Sequence, residues 1–94
     1  MDRTFDNELI SVIIPIYNSK TYLKQTLDSV LNQDYDNDFN IIIVDDASTD
    51  TPEDIINLYK DNKKVIYIKL DKNVGAGEAR NIALKFSNAR FVAF

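Results

Sequence analysis

Ile41-Ile42-Ile43-Val44-Asp45-Asp46-Ala47-Ser48-Thr49-Asp50 is the stretch on which the chain turns. Four branched apolar residues in a row predict a strand buried on both faces, as inside a parallel sheet. The run stops at two adjacent carboxylates, and the small and hydroxyl residues after them suit a loop. In open α/β sheets, ligands bind outside the carboxyl ends of the strands. Asp45 and Asp46 therefore stand where such a fold keeps its crevice. Neighbours on an extended segment point to opposite sides, so the two acids are expected to differ in their work. One reading has an acid capping the loop while the other is solvated. The other has a carboxylate accepting hydrogen bonds from a base or ribose, or helping to hold a cation.

Upstream, Leu9-Ile10-Ser11-Val12-Ile13-Ile14 predicts a first strand closed by Pro15, which cannot donate to a sheet ladder. Ile16-Tyr17-Asn18 forms a loop at the same edge as the acids, and Ser19 or Thr21 is expected to cap the next helix. That helix carries Leu23, Leu27, Val30 and Leu31 as its sheet-facing stripe. The polar run Asn32 to Asp38 ends it. Downstream, Thr51-Pro52-Glu53-Asp54 is a helix start, with Thr51 as cap, Pro52 at the first position and two acids for the dipole. Ile55, Ile56 and Tyr59 are its apolar side. A third strand is expected over Val65–Leu70, then a loop holding both glycines of the chain. A helix from about Glu78 to Phe86 follows, with Ala79, Ile82, Ala83 and Phe86 on one face. Arg90-Phe91-Val92-Ala93-Phe94 begins a fourth strand. The order β-α-β-α-β-α-β implies right-handed crossovers and a Rossmann-like three-layer α/β/α domain with a mostly parallel sheet of about four strands.

Composition narrows the chemistry. The 94 residues suit one small domain, with residues 1–8 as a polar tail and 9–94 as the folded part. A net charge of −4 and dispersed Lys and Arg leave no basic footprint for nucleic acid or a membrane surface. Without Cys or His, thiolate sites and the commonest neutral-pH acid/base are excluded, leaving carboxylates, Lys, Arg, Tyr, hydroxyls and backbone groups. The N-terminus is not a signal peptide, and no apolar run approaches the ~20 residues that span a bilayer. A cytoplasmic location is expected.

In Asn73-Val74-Gly75-Ala76-Gly77-Glu78-Ala79-Arg80-Asn81, a Gly-x-Gly before a helix would let backbone amides approach a phosphate. It lacks the third glycine of a dinucleotide fingerprint and follows the third strand rather than the first. Arg80 is either a diphosphate or carboxylate partner, through its planar fork, or a surface ion pair with Glu78 or Asp71. Tyr17 either stacks on a base or packs locally.

Ser-Val-Ile-Ile-Pro-Ile-Tyr-Asn at 11–18, Ile-Ile-Val-Asp-Asp-Ala-Ser-Thr-Asp at 42–50 and Asn-Val-Gly-Ala-Gly-Glu-Ala-Arg-Asn at 73–81 together resemble the opening half of a family 2 glycosyltransferase of the GT-A fold. The resemblance runs from about Leu9 to Phe94. It implies a nucleotide-diphosphate sugar, UDP-linked, bound at the carboxyl ends of the first strands, for transfer to a saccharide or other acceptor in glycan or cell-envelope synthesis. It implies nucleotide contacts from Pro15, Tyr17, Asn18, Asp45, Asp46, Asn73, Gly75, Gly77 and Arg80. Asp46 would accept the uracil imide hydrogen, and Arg80 would face the base or diphosphate.

The family's acidic Asp-x-Asp-type motif, which holds Mg²⁺ or Mn²⁺ on the diphosphate, is expected after Phe94, as are the catalytic base and the acceptor site. No catalytic or metal-ligating residue is therefore assigned within the chain. These 94 residues are expected to hold no ion tightly and to transfer no sugar alone. The fourth strand would form a sheet edge, inviting self-association through Phe91–Phe94. The longer protein is compatible with attachment to the cytoplasmic membrane face. Two other classes compete. A sugar nucleotidylyltransferase would place a glycine-rich basic loop after the first strand, and a non-catalytic receiver module would place an acid there. Pro15-Ile16-Tyr17-Asn18 is neither.

Overall fold

The computed structural model describes residues 6–33, 38–87 and 89–93, with side chains for 9–33 and 38–87. Strands β1 (Asp6–Ile16), β2 (Asp38–Asp45), β3 (Val65–Lys69) and β4 (Ala89–Ala93) alternate with helices α1 (Lys20–Leu31), α2 (Glu53–Ile56) and α3 (Ala76–Phe86). A 3-10 turn at Asn57–Tyr59 prolongs α2. The sheet order is β3-β2-β1-β4, and every pairing is parallel. Of the expected features, residues 1–5, the linker residues 34–37, Asn88 and Phe94 lie outside the described residues.

Ile41, Ile42, Ile43 and Val44 are all fully buried. Side chains alternate across a strand, so this run feeds two cores. Ile41 and Ile43 join Ile16, Leu23 and Leu27 beneath α1, with Ile55, Ile56 and Tyr59 packed alongside. Ile42 and Val44 join Ile13, Ala79 and Ala83 beneath α3, with Ile66, Ile68 and Leu70 alongside. Helices on both faces complete three layers. Each buried Ile or Val contributes about 1.5–3 kcal/mol relative to exposure.

Several local expectations need correction. β1 begins at Asp6, three residues before the Leu9 expected from the apolar run. Pro15 lies inside β1, paired with Val44, rather than marking its exit. The Ile16 carbonyl accepts from Asp46 on the β2 side. Backbone groups alternate along a strand, so the proline nitrogen faces away from β2 and toward the β4 side, where the described pairing reaches Val12↔Ala93. The missing donor therefore costs no bond in the β1–β2 ladder. α3 starts at Ala76, with Gly75 as its N-cap. Phe86 is 63% exposed. At that end it is Ser87 that reaches the sheet, its hydroxyl 2.7 Å from Ser11 Oγ. Ser11 in turn donates to Asn40 Oδ1 at 2.6 Å, so its buried hydroxyl is satisfied.

Neither expected hydroxyl cap forms. Ser19 occupies the α1 N-cap but makes no capping bond; its hydroxyl donates to the Tyr17 carbonyl. The Lys20 amide is received instead by Asp50 Oδ2, at 3.0 Å from the loop after β2. Pro52, not Thr51, is the α2 N-cap, and Thr51 has φ 59°.

Candidate functional site

The loops after β1, β2 and β3 meet at the carboxyl edge of the sheet, and β2 supplies both acids there. Asp45 continues the face of Ile41 and Ile43; Asp46 continues that of Ile42 and Val44. The period of two thus sends the carboxylates to opposite sides.

Asp46 turns toward the loop that opens α3. Its Oδ1 accepts the Val74 amide at 2.7 Å, and its Oδ2 accepts the Gly75 amide at 2.9 Å. Asn73 Nδ2 donates to the Asp46 carbonyl at 3.3 Å. Hydrogen bonds to an ionised acceptor are about twice as strong as neutral ones, so Asp46 fastens this loop. Gly75 can follow because its φ of 91° and ψ of 154° lie in a region open essentially to glycine.

Asp45 is fully buried on the other side. Its Oδ1 accepts the Ser48 amide at 2.9 Å, and its Oδ2 accepts the Tyr67 hydroxyl at 2.5 Å. Burial first, then the Asp45 carboxylate, push the Tyr67 hydroxyl well above the usual tyrosine range, so it remains a donor. Nearby, Lys69 Nζ lies 2.6 Å from Glu53 Oε2. The Glu53 carboxylate holds the lysine above its ordinary value, and the lysine lowers that carboxylate.

Asn18 clasps the first loop to the second. With φ 52°, its amide donates to Ser48 Oγ at 3.0 Å, while its Oδ1 accepts the Thr49 amide at 2.8 Å. Ala47 has φ 61°, so three non-glycine residues at this edge (Asn18, Ala47 and Thr51) occupy the left-handed region.

Between the first and third loops opens a cleft of about 210 Å³, lined by Pro15, Ile16, Tyr17, Asp46, Asn73, Gly75 and Ala76. Complete small-molecule sites run to roughly 300–1,000 Å³, so this cleft has room for only part of such a ligand. Tyr17, 52% exposed, offers a ring at its wall. Five of the nine candidate residues thus line one cleft: Pro15, Tyr17, Asp46, Asn73 and Gly75. Asn18, Asp45, Gly77 and Arg80 are not in its lining. Asn18 and Asp45 hold loops together, while Gly77 and Arg80 are exposed on α3. Sequence reasoning did not single out Ser48, Thr49, Asp50 or Tyr67. The available signal for Tyr67 was a hydroxyl in an otherwise apolar stretch of strand.

Among the described residues, no three His, Cys, Asp or Glu side chains converge as a metal ligand set. No described helix is long and apolar enough to cross a membrane.

A sequence comparison matches residues 11–94 to the family described as Glycosyl transferase family 2. The chain belongs to this family. A relative in Escherichia coli, UDP-Glc:alpha-D-GlcNAc-diphosphoundecaprenol beta-1,3-glucosyltransferase WfaP, is 48% identical over 93% of this chain and 34% of its own length. The crystal structure of S. aureus TarS 1-349 in complex with UDP-GlcNAc matches with a TM-score of 0.80 at 38% identity, over 88% of this chain and 24% of that one. The mannosyltransferase PcManGT from Pyrobaculum calidifontis, in complex with GDP-Man and Mn²⁺, matches with a TM-score of 0.76 at 27% identity, over 92% and 26%. The chain therefore spans about a third of the E. coli relative and about a quarter of each of these structures. Its sheet and helices are those of the opening part of the GT-A fold, as expected for family 2.

Proposed function

We propose that the cleft receives the nucleotide of a nucleotide-diphosphate sugar, UDP-linked, and that the longer protein transfers the sugar to a saccharide or other acceptor in glycan or cell-envelope synthesis. The observation that carries this reading is the meeting of the Tyr17 ring and the Asp46 carboxylate in one cleft. Each Asp46 oxygen already accepts one amide and keeps a second lone-pair direction. An imide N–H, as in uracil, matches that acceptor, and a base ring can stack on Tyr17. Gly75 and Ala76 bring the N-terminus of α3 to the cleft, where backbone amides favour a diphosphate. Arg80, just over one turn into the helix, is assigned to the diphosphate or base. Asn18 and Asp45 are assigned to loop geometry rather than direct contact, and Gly77 to close approach of the backbone.

The resemblance also implies Mg²⁺ or Mn²⁺. Asp45 is fully buried with a protein donor on each oxygen, and among the described residues no three His, Cys, Asp or Glu side chains converge on Asp46 as a ligand set. The described residues thus do not fit the ion, whose ligands are assigned to the acidic motif expected after Phe94. Sugar transfer by the 94 residues alone is therefore not expected. Donor binding is assigned to the cytoplasm, and β4 at the sheet edge is the proposed route of self-association.

NMR titration of the chain with UDP and with GDP, with and without Mn²⁺, tests the cleft. UDP shifts are expected at Tyr17, Asp46 and Arg80 and should vanish in Asp46→Asn. Shifts confined to other loops, or an indifferent variant, would remove Asp46 from the assignment.

A further inference from the structure

We infer that Asp45 and Tyr67 form a positioning pair that sets the Tyr17 wall of the cleft from the opposite side of the sheet. This rests on the nucleotide reading given above. The relay is continuous: the Tyr67 hydroxyl donates to Asp45 Oδ2, and Asp45 Oδ1 receives the Ser48 amide. Ser48 Oγ then receives the amide of Asn18, the residue next to Tyr17. The Thr49 amide donates back to Asn18 Oδ1, closing the clasp.

Two features make the relay a fixed one. Asp45 is fully buried, and the tyrosine and one backbone amide are the donors set on its two oxygens. Losing either leaves a buried carboxylate oxygen without that donor, which favours a rearranged loop. The backbone of Asn18 and Ala47 is also held at φ 52° and 61°. Residues in this region persist where the surroundings over-determine them, and here the hydrogen bonds around Ser48 supply that constraint. The Tyr67 ring packs with Ile41 and Ile43 beneath α1, so removing the hydroxyl alone leaves the core filled.

The test uses the 94-residue chain with Tyr67→Phe, Asp45→Asn and Asp45→Ala. Amide exchange is read at Ser48, Thr49 and Asn18, with Leu23 and Leu27 as internal references, and UDP affinity is read by titration. Tyr67→Phe is expected to speed exchange at the three loop amides and leave the α1 amides unchanged. It should also weaken UDP roughly threefold to tenfold, the effect of losing one hydrogen bond. Asp45→Asn keeps a carbonyl acceptor for Ser48 and should weaken UDP less than Asp45→Ala. A purely structural role would lower the melting temperature while leaving loop exchange and UDP affinity untouched, and that result overturns the inference. If the parent chain binds no UDP, the nucleotide reading fails. The exchange data then decide the relay separately: unchanged loop amides in Tyr67→Phe reject it, and selectively faster ones support it.

Discussion

At the scale of single residues, the two glycines of the 73–77 loop have separate reasons. A Cβ at either would meet nothing within 4 Å, so space does not distinguish them. Backbone conformation does. Gly75 sits at φ 91°, and Gly75→Ala is expected to destabilise by about 1–3 kcal/mol from conformation alone. Gly77 lies in the first turn of α3, where alanine is the better helix former. Gly77→Ala should stabilise by ~0.5–1 kcal/mol. Urea unfolding of both variants checks the contrast, and equal effects of one sign would refute it. A stabilised Gly77→Ala with poorer UDP binding would locate the need for glycine in the ligand. Ala47 presents the reverse case. Its φ of 61° disfavours a side chain, so Ala47→Gly should raise stability by up to ~1 kcal/mol despite the greater freedom of the unfolded chain.

Between elements, α2 is a single turn whose stability comes from its neighbours. Its 3-10 continuation places Tyr59 against the core under α1 and its hydroxyl 2.5 Å from Asp28 Oδ1. Burial, then the bond to Asp28, push the Tyr59 hydroxyl up to about 12. Hydrogen bonds from Lys24 and Tyr59 lower the Asp28 carboxyl. The signs follow from linkage. Tyr59 is protonated more readily folded than unfolded, so its contribution is complete below the ordinary tyrosine pKa near 10 and is lost as pH rises through about 12. Asp28 does the opposite, contributing above the ordinary carboxylate range and losing that contribution as pH falls through its lowered value. Tyr59→Phe should therefore flatten the decline in melting temperature between about pH 10 and 12. An unchanged alkaline limb would separate Tyr59 from the stability of this face.

At the scale of the whole chain, the sheet order places β3 and β4 at the edges of the sheet among the described residues. β3 is five residues long and ends in Lys69, which blunts it against pairing. β4 reads Ala-Arg-Phe-Val-Ala, with only Arg90 charged, and is the edge expected to pair with a second copy. Sedimentation should show a concentration-dependent dimer that weakens in Val92→Lys; a strictly monomeric species at high concentration would rule this edge out. Much of the architecture was legible. The Ile41–Val44 run announced a strand buried on both faces, and the three motifs marked the loops that converge. What could not be read were contacts between distant segments. Asp50 caps α1 from thirty residues away, and Tyr67 reaches Asp45 across the sheet. The apolar period assigned to α3 also included Phe86, although Ser87 makes the contact at that end.

The sequence by itself determined the alternation of strand and helix, the edge at which the loops gather, and the family to which the chain belongs. These rest on periodicity and motif order, which are properties of neighbours along the chain. Only the tertiary structure decided which acid faces the cleft. Strand alternation says that Asp45 and Asp46 part company, but not which side holds α3 and which holds Tyr67. That choice depends on which face each crossover covers. It puts Asp46 against the Val74 and Gly75 amides and leaves Asp45 buried beneath the clasp between Asn18 and Ser48.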